Sequence, residues 1–241
     1  MNLIEVNDKK TRGEFLKVPK ILYKKDPFWV CPLDDDIKSI FDPQKNPYFK
    51  GGEAIRWILK NDKGKLIGRI AAFYNNKRAY SFEQPTGGMG FFECINNKEA
   101  AFLLFDSAKE WLASKGMEAM DGPLNFGENQ NNWGLLVDGF MQQGMGMPYN
   151  FPYYQDFFES YGFKNFFEQY SYHREIPEKF PERFLKIMDW AVNRGNYEYE
   201  HFKFSNKEKY IKDLVRVYNN TWGTLRGDFT PLDYDKVLKF C

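Results

Sequence analysis

A helix with its own start signal lies between two apolar stretches, and this arrangement constrains the fold more than any other feature of the sequence. Residues 88–95, GMGFFECI, are largely apolar, which predicts a strand in the interior of a sheet. Asn96-Asn-Lys-Glu99 forms a capping box, and the helix that it starts continues to Lys115 and ends at Gly116. Residues 117–122 predict a further strand. Because a helix crosses over between them, the two strands are expected to be parallel neighbours in one sheet.

A β-hairpin is predicted before the first of these strands. In residues 55–59 every second side chain is apolar, a turn follows at residues 61–64, and apolar residues resume at Leu66. Further upstream, residues 3–6 predict a short strand, and Thr11-Arg-Gly-Glu14 is the capping box of a helix that extends to about Tyr23. The proline-containing residues 26–52 predict a long loop with at most a short helix.

The stretch 153–172, YYQDFFESYGFKNFFEQYSY, predicts a helix that ends at Gly162 and continues into a strand. Residues 122–154 are rich in Gly and Asn and predict a long structured loop. Loops of this length in compact domains are often functional, and a well-packed loop without a function is an equal alternative. The remaining sequence predicts a helix over 182–194, a strand over 197–204, and helices over 205–220 and 232–241.

Charge and composition exclude several classes of protein. The chain has 34 Lys and Arg against 33 Asp and Glu, so no overall field favours nucleic acid or an anionic membrane. No apolar run approaches the roughly 18 residues that span a bilayer, and the first residues show neither a secretion signal nor a lipidation motif. We therefore predict a cytoplasmic protein that binds neither nucleic acid nor membrane. Whether it forms a homo-oligomer is left open by the sequence.

Metal sites and disulfides are not predicted. The 3 cysteines are far apart and the 2 histidines are too few for a zinc site. The acidic run 34–36 is more typical of a solvated loop than of a metal site. The 24 phenylalanines indicate a phenylalanine-rich core rather than an aromatic cage for a ligand.

The order of the predicted elements resembles the fold of the GCN5-related N-acetyltransferases (GNAT). The most specific part is FFESYGFKNFFEQYSY, which looks like the penultimate helix of that family, its Gly-Phe turn and the strand that follows. The segments GRIAAFYN, GFFEC, GPLNF, GLLVDGF and PYNFPYY look more closely like an uncharacterised bacterial GNAT-like family. The resemblance implies an α/β (α+β) fold with a mixed, mostly antiparallel sheet, a parallel pair at the cofactor cleft, and flanking helices.

The same resemblance implies a division of the chain. Members of the family typically continue into a second GNAT-like half. Residues 1–175 are expected to form a GNAT-like acyltransferase-type domain and residues 176–200 a helical connector. Residues 201–241 are similar to the beginning of the second half, which is expected to be shortened here.

Coenzyme A thioesters are the co-substrates that the resemblance implies, either acetyl-CoA or another acyl-CoA. The family holds the pyrophosphate on backbone N–H groups at a helix start with the pattern Gln/Arg-x-x-Gly-x-Gly/Ala. These positions fall on Ile95, Lys98 and Ala100, and only the last matches. Lys98 can supply charge instead, so the cofactor is expected at Asn96, Asn97, Lys98, Glu99 and Ala100.

The resemblance also implies a general acid, usually a tyrosine four residues before the glycine of the Gly-Phe turn. Phe158 occupies that position, so Tyr154, one helical turn earlier, and Tyr161, beside the turn, are the expected substitutes. Glu93 on the central strand is the expected base, and a structural carboxylate is an equal alternative. The expected substrate contacts, which could instead only form turns, are Asn125, Asn129, Asn132 and Tyr149.

Three functions follow from this sequence. The first is transfer of an acyl group from coenzyme A or a related thioester to the amine of a small molecule or peptide. The second is a catalytically inactive GNAT-like binding or interaction module, which the departures at Ile95, Lys98 and Phe158 favour. The third is a transferase with a larger donor such as aminoacyl-tRNA, against which the neutral charge argues.

Overall fold

The computed structural model describes residues 1–127, 134–144, 146–172, 175–176, 179–194, 200–223 and 231–240. The chain divides into two compact units, residues 1–169 and 170–241. The strands of the first unit are β1 (Asn2–Glu5), β2 (Gly52–Lys60), β3 (Leu66–Asn75), β4 (Thr86–Cys94) and β5 (Ala119–Asp121). Its helices are α1 (Lys9–Leu22), α2 (Asp34–Ile40), α3 (Asn76–Ala79), α4 (Lys98–Ser114) and α5 (Tyr154–Tyr161).

The five strands form one sheet in the order β1-β2-β3-β4-β5. The first three pairings are antiparallel, whereas β4 and β5 are parallel, with Thr86 opposite Ala119 and Gly88 opposite Asp121. Helix α4 makes the crossover between the two parallel strands. The predicted fold class is confirmed: a mixed, mostly antiparallel sheet with one parallel pair is flanked by helices.

Both faces of the sheet are buried. Leu104 and Phe105 of α4 and Phe158 of α5 belong to a core cluster on one face. Phe15 of α1 and Ile37 of α2 belong to the cluster on the other face. Because both faces are covered, β3 is buried from Leu66 to Phe73 and shows an almost continuous apolar sequence.

Helix α1 starts earlier than its capping box predicted, and helix α4 starts one residue later. Helix α1 is capped by Asp8, whose carboxylate accepts the backbone N–H of Thr11 at 2.7 Å, so Thr11 is the third helical residue and not the cap. Helix α4 is capped by Asn97, whose side-chain oxygen accepts the N–H of Ala100 at 2.8 Å. In both cases the cap lies three residues before the N–H that it accepts. The spacing of polar residues in the sequence does not by itself show which of them is the cap.

Replacing Asn97 with alanine is expected to lower the free energy of unfolding by about 1 kcal/mol, because the N–H of Ala100 loses its acceptor. Asn96→Ala is the matched control, since Asn96 precedes the cap. Chemical denaturation of both variants measures the effect. Equal losses in the two variants would contradict the assignment of Asn97 as the cap.

The strand predicted after Gly162 is wrong. Gly162 ends α5 with a φ of +112°, as predicted, but residues 163–172 form no strand. A strand needs a neighbour to pair with, and the described residues offer this segment no pairing partner. The strand predicted over 197–204 lies outside the described residues at 197–199, and residues 200–204 form none.

The helices of the second unit are α6 (Glu182–Arg194), α7 (Lys207–Trp222) and α8 (Tyr234–Phe240). The first confirms the helix predicted over 182–194. Asn219 joins α7 to the residues before α8, since its side chain accepts the N–H of Leu232 at 2.8 Å and donates to the carbonyl of the same residue at 3.1 Å. Within the described parts of both units, no helix has the length and apolar character required to cross a bilayer.

Candidate active site

A β-bulge bends β4, the fourth of the five strands of the sheet. Arg69 of β3 lies opposite Glu93, but Ala71 lies opposite Gly90, so β4 has one residue more than β3 across this interval. Phe91, within the bulge, adopts a φ of +52°, a left-handed conformation that is uncommon outside glycine. Bulges redirect the side chains of a strand and often lie next to active sites. This bulge directly precedes Glu93, and it therefore helps to set the direction of the Glu93 side chain.

Glu93 is a buried carboxylate held by two partners. Its side chain is 12% exposed, and its Oε1 lies 3.6 Å from the Nη2 of Arg69. The hydroxyl of Tyr154 donates to its Oε2 at 3.0 Å. Arg69 is in turn fixed by α1, because its Nη1 donates to the carbonyl of Phe15 at 3.0 Å. The predicted base and one predicted acid are thus in direct contact.

Burial changes the ionisation of this group. Loss of solvent raises the pKa of Glu93, and the nearby charge of Arg69 opposes that rise without cancelling it. Burial likewise lowers the pKa of Arg69, and the negative charge of Glu93 opposes that change. A carboxylate with a raised pKa is a stronger base than an exposed one, so Glu93 is suited to accept a proton.

Tyr154 connects α5 to the free edge of β4. Its hydroxyl accepts the backbone N–H of Cys94 at 2.7 Å, and Tyr153 donates to the carbonyl of Cys94 at 2.9 Å. Burial and the charge of Glu93 raise the pKa of Tyr154 well above its usual range, so the phenol is protonated. Two tyrosine hydroxyls therefore occupy backbone groups that another strand or an extended ligand would otherwise pair with.

The other candidate acid lies elsewhere. The hydroxyl of Tyr161 donates to Asp106 of α4 at 2.6 Å, and the structure does not bring it to Glu93. Phe158, at the position where the resemblance implied the acid, packs in the core, with its ring centroid 4.9 Å from that of Phe105 and 5.5 Å from that of Phe92. A hydroxyl at this position would face apolar rings.

The start of α4 carries the residues predicted to hold the cofactor. Asn96, Asn97, Lys98 and Glu99 are exposed, and Ala100 is buried. The ammonium of Lys98 lies 3.5 Å from the carboxylate of Asp156 on α5. Asn97 satisfies the N–H of Ala100, which leaves the N–H groups of Lys98 and Glu99 without an acceptor within the helix.

The predicted substrate contacts are not brought together. Asn125 is buried, its Oδ1 has no hydrogen-bond partner among the described residues, and it lines a cavity of about 30 Å³ beside Asp121. The hydroxyl of Tyr149 donates to Asp26 at 2.8 Å, and Tyr149 lines a separate opening of about 430 Å³. Asn129 and Asn132 lie outside the described residues.

Sequence reasoning missed two residues of this site. Arg69 stands alone as a charge in the apolar run LIGRIAAF, and a charge in a buried strand was the signal that could have identified it. Tyr23, beside Glu93 and Tyr154, carries no local signal of this kind. Among the described residues, no group of three or more His, Cys, Asp or Glu side chains is placed to hold a metal ion.

Comparison with known proteins gives two curated relatives, and no protein-family model matches the chain. "Protein YghO" of Escherichia coli K12 is 26% identical over 216 residues, 86% of this chain and 53% of that protein. "Bacterial ceramide synthase" of Caulobacter vibrioides is 28% identical over 240 residues, 96% of this chain and 60% of that protein. The chain thus spans between half and two thirds of the length of these relatives.

Two solved structures are similar in part. "Putative acetyl transferase from Pyrococcus furiosus" has a TM-score of 0.41 and 12% identity, over 73% of this chain and 99% of that one. An acetyltransferase of the GNAT family from Staphylococcus aureus Mu50 has a TM-score of 0.35 and 15% identity, over 49% of this chain and 69% of that one.

Proposed function

We propose that the chain is an acyltransferase of the GNAT type, which moves an acyl group from coenzyme A or a related thioester to an amine. The observation that carries this proposal is the hydrogen bond of 3.0 Å between Tyr154 and the buried carboxylate of Glu93, directly after a bulge in strand β4. Acyl transfer to an amine requires one group that accepts a proton and one that donates it. Glu93 is the proposed base and Tyr154 the proposed acid.

The two residues can pass protons in a closed sequence. Glu93 takes a proton from the ammonium form of the acceptor, and the freed lone pair attacks the thioester carbonyl. When the C–S bond breaks, the thiolate takes a proton from Tyr154. Glu93 returns the proton it gained to Tyr154 across the 3.0 Å hydrogen bond, so that the phenolate does not persist. The nitrogen loses its second proton to water as the amide forms, so the net result is an amide, a thiol and one released proton.

Sequence relationships support N-acylation as the reaction class. Ceramide is an N-acylated amine, and the relative named for its synthesis is similar over 96% of this chain. The resemblance of the helix and Gly-Phe turn at 153–163 to the GNAT family points to the same reaction. An acyl-CoA donor also accords with the predicted cytoplasmic location. We retain the division into residues 1–175, 176–200 and 201–241 as part of this proposal.

The start of α4 fits an acyl-CoA co-substrate in part. The N–H groups of Lys98 and Glu99 and the ammonium of Lys98 would hold the pyrophosphate, next to the polar side chains of Asn96 and Asn97. Coenzyme A would supply the activated thioester. Asn125 and Tyr149 lie at two different cavities, so they are proposed as alternative contacts of the acceptor, of which a small amine would use one.

Titration calorimetry with coenzyme A and acetyl-CoA tests the proposal, followed by measurement of thiol release with a panel of amines. We expect saturable binding and amine-dependent thiol release. Tyr154→Phe should reduce the rate at least 10-fold, because a proton donor is lost, whereas Tyr161→Phe should have little effect. Absence of binding and of thiol release in folded protein would refute the proposal, and a loss confined to Tyr161→Phe would move the acid to that residue.

The pH dependence of the reaction is expected to report Glu93. Burial raises its pKa above the ordinary value of 4.5, and the base is active only when ionised. The value of kcat/KM should therefore rise with pH through an acidic limb centred above 4.5. A rate that is already maximal below that pH would contradict the assignment.

A second candidate function is the inactive binding module. It is favoured by the edge of β4 that faces away from β3, because the hydroxyls of Tyr153 and Tyr154 already occupy the backbone groups of Cys94 there. The backbone of Leu124 also covers β4, because its N–H donates to the carbonyl of Met89 at 2.8 Å. A protein of this kind would fold normally and would not bind coenzyme A in the titration described above.

A further inference from the structure

The loop that joins α1 to α2 exposes apolar side chains. Its residues 27–33, PFWVCPL, include no charged side chain. Phe28, Val30 and Leu33 of this loop are 44%, 60% and 70% exposed. Extended apolar patches on the surface of a soluble protein often mark binding sites. The loop is therefore a candidate wall of such a site.

One end of this loop lines the opening of about 430 Å³ beside Tyr149. The volume lies within the range of about 300–1,000 Å³ that is usual for small-molecule sites. Six of the nine side chains that line the opening are apolar, and these are Leu22, Pro27, Phe28, Phe140, Phe151 and Pro152. Such a lining suits a ligand whose body is mostly hydrocarbon.

Contacts within the chain fix the shape of this opening. The carboxylate of Asp26 accepts the backbone N–H of Phe28 at 2.9 Å and the hydroxyl of Tyr149 at 2.8 Å. It thus joins the loop after α1 to the segment before α5. The ring of Phe151 is held as well, because it stacks on the ring of Tyr23 with the centroids 4.3 Å apart. The apolar side chains therefore line a site that is already formed.

Lys25 determines which charge a ligand would carry. Among the described residues, its ammonium group has neither an ion pair nor a hydrogen bond. Asp26, the other charged residue of the lining, accepts two hydrogen bonds, and Tyr149 uses its proton in one of them. Lys25 thus supplies the N–H donors that remain unused. A head group that accepts hydrogen bonds and carries a negative charge complements it best.

The small number of polar groups selects against a peptide as the occupant. Each residue of a peptide brings a backbone N–H and a C=O group, and burying these without partners is costly. The lining has three polar side chains, and two of them, Asp26 and Tyr149, already bond to each other. An aliphatic chain has no polar groups that need partners. The lining therefore favours a chain with one polar end.

We propose that this opening binds a single-chain amphiphile, a dissolved long-chain carboxylate. Its aliphatic chain packs against Phe28, Phe140 and Phe151, and its carboxylate accepts hydrogen bonds from Lys25. The bound chain covers part of the Phe28 side chain, which is 44% exposed without it. The inference goes beyond the proposed acyl transfer and does not depend on it, because neither Glu93 nor Tyr154 lines the opening.

Titration calorimetry with sodium dodecanoate, below its critical micelle concentration, tests the chain and the head group. We expect saturable binding of one molecule per chain. Hexanoate has the same head group and a shorter chain, and it should bind roughly 10-fold or more weakly. Dodecyltrimethylammonium, with the same chain and a cationic head group, should also bind more weakly. No saturable binding of dodecanoate, or equal binding of either of the other two ligands, would overturn the inference.

Two variants test whether the amphiphile occupies this opening. Phe28→Ser should weaken dodecanoate binding roughly 10-fold or more, and Lys25→Ala should abolish the preference for dodecanoate over dodecyltrimethylammonium. Both side chains are exposed, so the unfolding midpoint should not fall. Phe167→Ser and Lys63→Ala, at exposed positions outside the lining, are the matched controls. Unchanged affinity in Phe28→Ser, a preference that survives Lys25→Ala, or equal losses in the controls would overturn the inference.

A vesicle experiment separates a dissolved ligand from a membrane surface. Vesicles of phosphatidylglycerol present the same apolar chains and negative charge as a bilayer. Sedimentation of the protein with these vesicles, combined with no binding of dodecanoate, would assign the apolar loop to a membrane and overturn the inference. Dodecanoate binding in a protein that shows no acyl transfer would refute the proposed reaction and leave this site in place.

Discussion

Glu93→Gln is expected to slow acyl transfer by about 10²–10⁴-fold, the range typical for loss of a general base. Glutamine keeps the size of the side chain and can still accept the hydrogen bond from Tyr154, but it cannot take a proton from the amine. The affinity for acetyl-CoA should be unchanged, because the proposed cofactor residues lie at the start of α4. Single-turnover measurement of thiol release, at saturating amine, gives the rate of the chemical step.

The same substitution has a second effect that must be separated from the first. Arg69 would remain buried without its carboxylate, and removing one partner of a buried ion pair costs about 3–5 kcal/mol. The double variant Glu93→Gln with Arg69→Met removes both charges and should recover much of that stability. It should remain as slow as the single variant. A folded single or double variant that works at the wild-type rate would show that Glu93 is a structural carboxylate.

Local sequence patterns predicted most of the framework around this site. The helix between two apolar stretches gave the parallel pair β4 and β5, because a crossover of this length permits little else. The alternation at 55–59 and the turn at 61–64 gave the hairpin of β2 and β3. These elements are set by residues close in the chain, so a sequence contains the information needed to recognise them.

Other features depend on residues far apart in the chain. The contact between Glu93 and Tyr154 spans 61 positions, and sequence alone could nominate both residues without showing that they meet. Tyr154 could not be preferred to Tyr161 on sequence, because the difference lies in which side chain each hydroxyl contacts. The strand predicted at 163–172 failed for a similar reason. Its residues favour a strand, but strand formation also requires a neighbour.

The bulge in β4 could not be predicted either, although Gly90 is part of it. A side chain at Gly90 would meet the backbone of Leu124, since a Cβ there would clash with its carbonyl oxygen. The N–H of Leu124 donates to the carbonyl of Met89, so the segment after β5 is held against β4. The glycine is thus required by a contact across 34 positions of the chain, which its sequence neighbours do not reveal.

Gly90→Ala is expected to lower the free energy of unfolding of the first unit by about 3 kcal/mol. Overpacking is usually relieved by rotation of side chains, but here the obstacle is a backbone carbonyl, so the segment at Leu124 must move away from β4. Hydrogen exchange of the β3 and β4 amides measures the loss within that unit.

Gly13→Ala in α1 is the matched control for this substitution. A Cβ at Gly13 meets no atom within 4 Å, and alanine is the better helix former by about 0.5–1 kcal/mol, so this variant should gain stability. The two glycine-to-alanine changes are therefore expected to have opposite signs. Stability of Gly90→Ala equal to that of the wild type would mean that Leu124 does not hold its place against β4, and the proposed covering of this strand edge would have to be abandoned.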